Sequence, residues 1–135
     1  MIANGGAVSD LGQSSSAASN LVFDGGALQY TGATAASDRL FTINNGKTAK
    51  IDVTQAATNL TLAGATGPAT TGSLDKIGLG TLTLIGGNTY TGTTTVNAGT
   101  LAIDNDGAAT FGALVSGPTT VNGGCLLYTS PSPRD

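Results

Sequence analysis

Ile77-Gly78-Leu79-Gly80-Thr81-Leu82-Thr83-Leu84 and, further along, Val96-Asn97-Ala98-Gly99-Thr100-Leu101-Ala102-Ile103 are two versions of one sentence. In full form it reads apolar, Asp or Asn, small, Gly, any, Leu, any, apolar. Phe23-Asp24-Gly25-Gly26-Ala27-Leu28-Gln29-Tyr30 and Val121-Asn122-Gly123-Gly124-Cys125-Leu126-Leu127-Tyr128 obey the full form, and the stretch at Ile77 keeps the Gly, the Leu and both apolar ends. Self-similarity on this scale marks a repeat architecture, in which function usually lies in the stack and rarely in a few catalytic side chains.

The copies are unevenly spaced. Nineteen residues separate Ile77 from Val96, 25 separate Val96 from Val121, and 54 separate Phe23 from Ile77, which leaves room for two or three further turns. Ile43-Asn44-Asn45-Gly46 starts a candidate turn but lacks the downstream Leu. Each copy enters a strand in which apolar residues alternate with Thr, Ala or Gln. The same period of two appears at Leu40-Phe41-Thr42-Ile43, Ala49-Lys50-Ile51-Asp52-Val53, Asn59-Leu60-Thr61-Leu62 and Thr93-Thr94-Thr95-Val96. One face of each strand is therefore apolar. Asp24-Gly25-Gly26, Asn44-Asn45-Gly46, Gly86-Gly87-Asn88, Asn97-Ala98-Gly99 and Asn122-Gly123-Gly124 punctuate the strands with residues that tolerate positive φ.

Two architectures use such a pattern. In a hairpin the Asn-x-Gly corner joins antiparallel neighbours; in a solenoid it is a bend between sheets, and each strand pairs in parallel with its equivalent one repeat away. Spacing near 20 with recurring identical corners favours the solenoid. That stack places Leu82 and Leu101 on one interior row and aligns Asn97 with Asn122, so that their amides bond between turns. Asp24 is expected at the same corner.

Composition agrees with an all-β chain. Charged residues are 10% of the 135 residues, against roughly 25% in an ordinary globular protein. Gly, Thr, Ala, Asn and Ser take their place, and these seldom build amphipathic helices. Eight Asp against five basic residues give a net charge of −3, which offers no electrostatic footprint for nucleic acid. Histidine is absent and Cys125 is the single cysteine, so neither an internal disulfide nor a zinc cluster is available. No positive region with an apolar stretch opens the chain as a secretory signal would.

Leu74 to Leu101, with its core G-x-G-T-L-T-L followed by N-T-Y-T-G and T-T-V-N-A-G-T-L, resembles the passenger-associated transport repeat of bacterial autotransporters. Residues 20–43, including Gly26-Ala27-Leu28-Gln29-Tyr30-Thr31-Gly32 and Asp38-Arg39-Leu40-Phe41, resemble the segment that often precedes it. The resemblance implies a right-handed, single-stranded parallel β-helix in a passenger at the cell surface or secreted, its parent anchored in a Gram-negative outer membrane by a C-terminal β-barrel. It implies partners of two kinds, the neighbouring rungs and that barrel. It carries no catalytic residue, cofactor or metal with it. The expected organisation is a lead-in loop at 1–20, solenoid rungs at 21–124 with the repeat at 74–104, and a tail at 125–135. That tail, with two of the four prolines in its last five residues, resembles translated sequencing-adapter sequence and is expected to be non-native.

Asp104 and Asp106 have the spacing of a paired acid and base, but Asp104-Asn105-Asp106-Gly107 is an Asx-type turn at a strand end. Asp24 reads as a corner residue, and no tandem calcium nonapeptide occurs. Lys50 and Asp52 fall on one exposed strand face as a weak ion pair. Tyr30 and Tyr90 offer aromatic surface for sugars, and Asn59-Leu60-Thr61 fits a glycosylation sequon that in a bacterial chain arises by chance. The expected function is a non-catalytic structural module that supports folding and export. The alternative is an adhesin-type module recognising glycan or host protein, which requires an exposed groove or aromatic row; an enzyme comes third.

Overall fold

The computed structural model describes residues 2–64, 70–85, 88–104 and 118–129. Its strands in chain order are β1 (Val22–Phe23), β2 (Ala27–Tyr30), β3 (Ala35–Leu40), β4 (Thr42–Ile43), β5 (Thr48–Val53) and β6 (Asn59–Gly64). They continue with β7 (Ser73–Ile77), β8 (Thr81–Ile85), β9 (Thr94–Val96), β10 (Thr100–Asp104), β11 (Thr119–Val121) and β12 (Cys125–Thr129). All pairings among these strands are parallel. Because a parallel partner cannot be reached through a tight hairpin, the chain must circle before it returns, and it forms a β-solenoid.

Three sheets run along the stack. The first holds β1 and β4, the second has the order β11-β9-β7-β5-β2, and the third β12-β10-β8-β6-β3. The first rung is therefore β1 to β3, the second β4 to β6, the third β7 and β8, the fourth β9 and β10, and the fifth β11 and β12. On the first side, a parallel bridge between Thr70 and Tyr90 links the third and fourth rungs. Leu40-Phe41-Thr42-Ile43 reads as one strand but is a bend: β3 ends at Leu40 and β4 begins at Thr42. Phe41 between them is fully buried and meets Phe23 edge to face, with ring centroids 5.5 Å apart.

The period of two sends alternate residues inside. In the third sheet Leu60, Leu82 and Leu101 form one row, and Leu62, Leu84 and Ile103 a second; all six are fully buried. In the second sheet Ala49 and Leu74 stack, and Ile51, Lys76 and Val96 stack beside them. Burying one Leu is worth about 1.5–3 kcal/mol, whereas a typical hydrogen bond adds about 0.5–1.5 kcal/mol. The interior rows therefore supply most of the stability, and the corners decide the register.

Residues 2–20 hold no strand, only a 3-10 turn at Ala18–Asn20. They lie along the outer edge of β3: Leu40 N–H donates to Ser16 O at 2.9 Å, Asp38 N–H to Asn4 Oδ1 at 3.0 Å, and Gly5 N–H to Asp38 Oδ1 at 2.7 Å. Arg39, only 2% exposed, fastens this segment by donating to Ala3 O, Ser14 Oγ and Gly12 O. A buried guanidinium is tolerable only when its donors are matched, and the loop supplies the acceptors.

Candidate functional site: the corner between the second and third sheets

Where the chain leaves the second sheet for the third, a column of polar side chains runs down the outside. Asn122 Nδ2 donates to Asn97 Oδ1 at 2.6 Å, and Asn97 Nδ2 donates to Asp75 Oδ1 at 2.5 Å. Asp75 accepts only, so each amide in the column donates toward the lower-numbered rung. The corner turns sharply at Gly99, whose φ is +65°. A Cβ there would overlap Gly80 O and lie 2.5 Å from Gly78 O. Only glycine allows successive corners to lie this close.

Asp24 is not part of that column. It sits at the corner between the first and second sheets, where its Oδ1 accepts from Asn44 Nδ2 at 3.3 Å and lies 4.0 Å from Lys47 Nζ. The partner of Phe23 is Ile43. Apolar-Asp-Gly-Gly is corner chemistry, and the two corners share it. A second correction concerns the stretch at Ile77: the residue opposite Val96 is Lys76, so Ile77 faces outward and a lysine holds the interior place.

Lys76 is fully buried. Its Nζ donates to Ile77 O at 2.6 Å, Gly78 O at 2.9 Å and Ala98 O at 3.3 Å, which uses all three ammonium protons. Desolvation holds its pKa below the ordinary 10.5, and the Asp52 carboxylate opposes that shift. Asp52 itself accepts from Gln29 Nε2 at 3.0 Å on the outer face; it is thus engaged with Gln29, while Lys50 is exposed. Both buried cations of the described residues, Arg39 and Lys76, donate mainly to backbone carbonyls.

Hydrogen bonds elsewhere also run between rungs. Thr83 Oγ1 donates to Asn59 Oδ1 at 2.9 Å, Thr58 Oγ1 to Gly32 O at 2.9 Å, Gln55 Nε2 to Thr31 O at 3.1 Å and Thr91 Oγ1 to Thr70 O at 2.9 Å. Thr71 N–H donates to Asn45 Oδ1 and Gly46 N–H to Thr71 Oγ1, each at 3.0 Å. Every one of these bonds joins a rung to its neighbour. By contrast, the cleft beside Ile2, Leu11, Leu28 and Tyr30 is about 130 Å³, below the roughly 300–1,000 Å³ of ordinary ligand pockets.

Comparison with known proteins agrees with this geometry. Residues 74–103 match the family model of the passenger-associated-transport-repeat. Residues 74–103 are an autotransporter passenger repeat. The chain is similar to the adhesin BmaC autotransporter of Brucella suis biovar 1 (strain 1330), with 49% identity over 111 residues. That alignment covers 82% of this chain and 3% of the relative. No solved structure matches it.

The candidate chemical residues around this passenger repeat do not converge among the described residues. Tyr90 is 4% exposed, shares a 2.8 Å hydrogen bond with Thr94 Oγ1, and has its pKa pushed up to about 12 by burial. Tyr30 donates its hydroxyl to Ala33 O at 2.7 Å and lies in the first rung, away from Tyr90. Asn59 is engaged by Thr83. Asp106, the turn at Gly86-Gly87 and residues 130–135 lie outside the described residues. Among the described residues no group of three or more His, Cys, Asp or Glu is placed to hold a metal ion. Arg39 and Lys76 escaped the sequence reading, although counting inward positions from Leu74 would have placed Lys76 inside.

Proposed function

We propose that this passenger repeat is a non-catalytic structural module whose stacked rungs support folding and export of a parent chain across a Gram-negative outer membrane. The observation that carries this reading is the direction of the side-chain hydrogen bonds, which link rung to rung along the corners. An enzyme needs polar groups aimed at one reacting atom; here they are spent on the stack. The partners of the module are then the adjoining rungs and a C-terminal β-barrel of the parent, and its place is the cell surface or the medium.

The matched relative is named an adhesin, which keeps a binding module as the second reading. The outward positions of the third sheet, Thr61, Thr83 and Ala102 in one row and Asn59, Thr81 and Thr100 in the next, carry no charge and no aromatic ring. The absence of an aromatic row on these two rows supports the scaffold over the adhesin, although Asp38 and Leu127 are exposed on the same sheet.

The experiment is surface display. The chain is placed between a secretory signal and an outer-membrane β-barrel, and external protease measures the exported fraction of the parent sequence and of Leu82→Asp, which unstacks two rungs. A marked loss of surface material for Leu82→Asp is expected. Equal display of both would contradict the export role, and specific capture of glycan or host matrix protein by the parent sequence would move the reading to the adhesin.

A further inference from the structure

The third and fourth rungs turn the same corner with different numbers of residues. Four residues, Ile77 to Gly80, separate Lys76 from Thr81, whereas three, Asn97 to Gly99, separate Val96 from Thr100. Three again, Asn122 to Gly124, separate Val121 from Cys125. Yet the strands on both sides stay in step: Lys76 pairs with Val96 and Val96 with Val121, while Thr81 pairs with Thr100 and Thr100 with Cys125. The longer corner therefore has to take up one residue without displacing either strand.

The added length is taken up by turning backbone inward. Gly78 has φ of +79°, and a Cβ on it would overlap Asp52 Oδ1 and lie 2.5 Å from Val53 O, so the corner cannot relax toward the second rung. Ile77 O and Gly78 O face the interior row instead, where they meet Lys76 Nζ. Buried carbonyls require donors, and the neighbouring interior residues Ile51 and Val96 have none to give. The same ammonium reaches across to Ala98 O in the fourth rung. The chain thus pairs lysine with the four-residue corner, and valine with both three-residue corners.

We propose that Lys76 is a positioning residue that holds the longer corner in register with the fourth rung. The inference rests on the fold alone and is independent of the export reading. Its test is compensation. Lys76→Val leaves the inward carbonyls without donors, and deletion of Leu79 leaves the ammonium without its acceptors, so each change alone should shorten the protease-resistance half-life by roughly tenfold. Combined, they recreate the spacing of Val121-Asn122-Gly123-Gly124, and the half-life should return to within roughly twofold of the parent.

A reciprocal pair covers the case in which the single changes prevent folding. One glycine inserted between Ala98 and Gly99 should be tolerated with Val96→Lys and not with Val96 retained. Additive losses in the first pair, or equal tolerance of the insertion with either residue, would overturn the proposal. Compensation in both would establish that lysine answers the corner's length.

Discussion

Asn97 both accepts from Asn122 Nδ2 and donates to Asp75 Oδ1, so one amide ties three successive rungs together. A hydrogen bond contributes about 0.5–1.5 kcal/mol net, and one to a charged partner about 1.5–3 kcal/mol. Asn97→Ala removes both and should cost about 2–4.5 kcal/mol in denaturant unfolding. Asn97→Asp should cost more at neutral pH, because two carboxylates then face each other and repel.

The interior and exterior positions of a single strand should differ sharply. Leu82→Ala opens a cavity in a row with no exposed atoms, and the expected loss is about 2–5 kcal/mol. Thr61→Ala on the outward face should cost less than about 1 kcal/mol. Thermal or denaturant midpoints of the two variants check this; similar costs would mean that the faces are assigned wrongly.

Lys76 should leave a signature in alkali. Its folded pKa lies below 10.5, so between the two values the unfolded chain binds a proton that the folded chain has released. Stability then rises with pH through the folded pKa and levels off near 10.5. The charged form is thus the strained one, since burial outweighs the Asp52 carboxylate. Subtracting the pH profile of Lys76→Met from that of the parent should reveal this rise, and a flat difference would contradict it.

Tyr90 acts with the opposite sign. Its hydroxyl keeps its proton to about pH 12 in the folded state against an ordinary 10.0. Above pH 10 the unfolded chain loses a proton that the folded chain retains, so stability falls until about pH 12. Tyr90→Phe should lose about 1 kcal/mol at pH 7, for the missing bond to Thr94, and should abolish this alkaline decline. The two windows adjoin, which allows them to be separated by titrating each variant.

Alternation and corner spacing are sufficient to read the solenoid from the sequence. The strands at Ala27–Tyr30, Thr48–Val53, Thr81–Ile85 and Thr100–Asp104 coincide closely with the apolar periodicity, and the Leu82–Leu101 row and Asn97–Asn122 contact follow from their equivalent places in the motif. What stayed hidden was which corner a motif belongs to. Phe23-Asp24-Gly25-Gly26 satisfies the rule at a different bend, because any bend that needs positive φ and a capping amide selects the same residues. The buried cations stayed hidden for another reason. Lysine and arginine are read as solvent-facing, and nothing local announces the backbone carbonyls that Lys76 and Arg39 satisfy. β3 and β7 were missed because Ala35-Ala36-Ser37-Asp38-Arg39 and Ser73-Leu74-Asp75-Lys76 interrupt the apolar alternation with those same inward-facing cations.

Parallel stacking in register is the claim on which the rest depends, and cross-strand disulfide trapping tests it directly. In a Cys125→Ser background, Thr83→Cys is combined with Ala102→Cys, two outward residues paired across β8 and β10. Neighbouring parallel strands lie about 4.8 Å apart, within the Cα separation a disulfide accepts. Near-complete oxidation to an intramolecular disulfide is the predicted result. A dithiol that resists oxidation in the folded chain, with cross-linking found instead between positions an antiparallel hairpin would bring together, would contradict the solenoid.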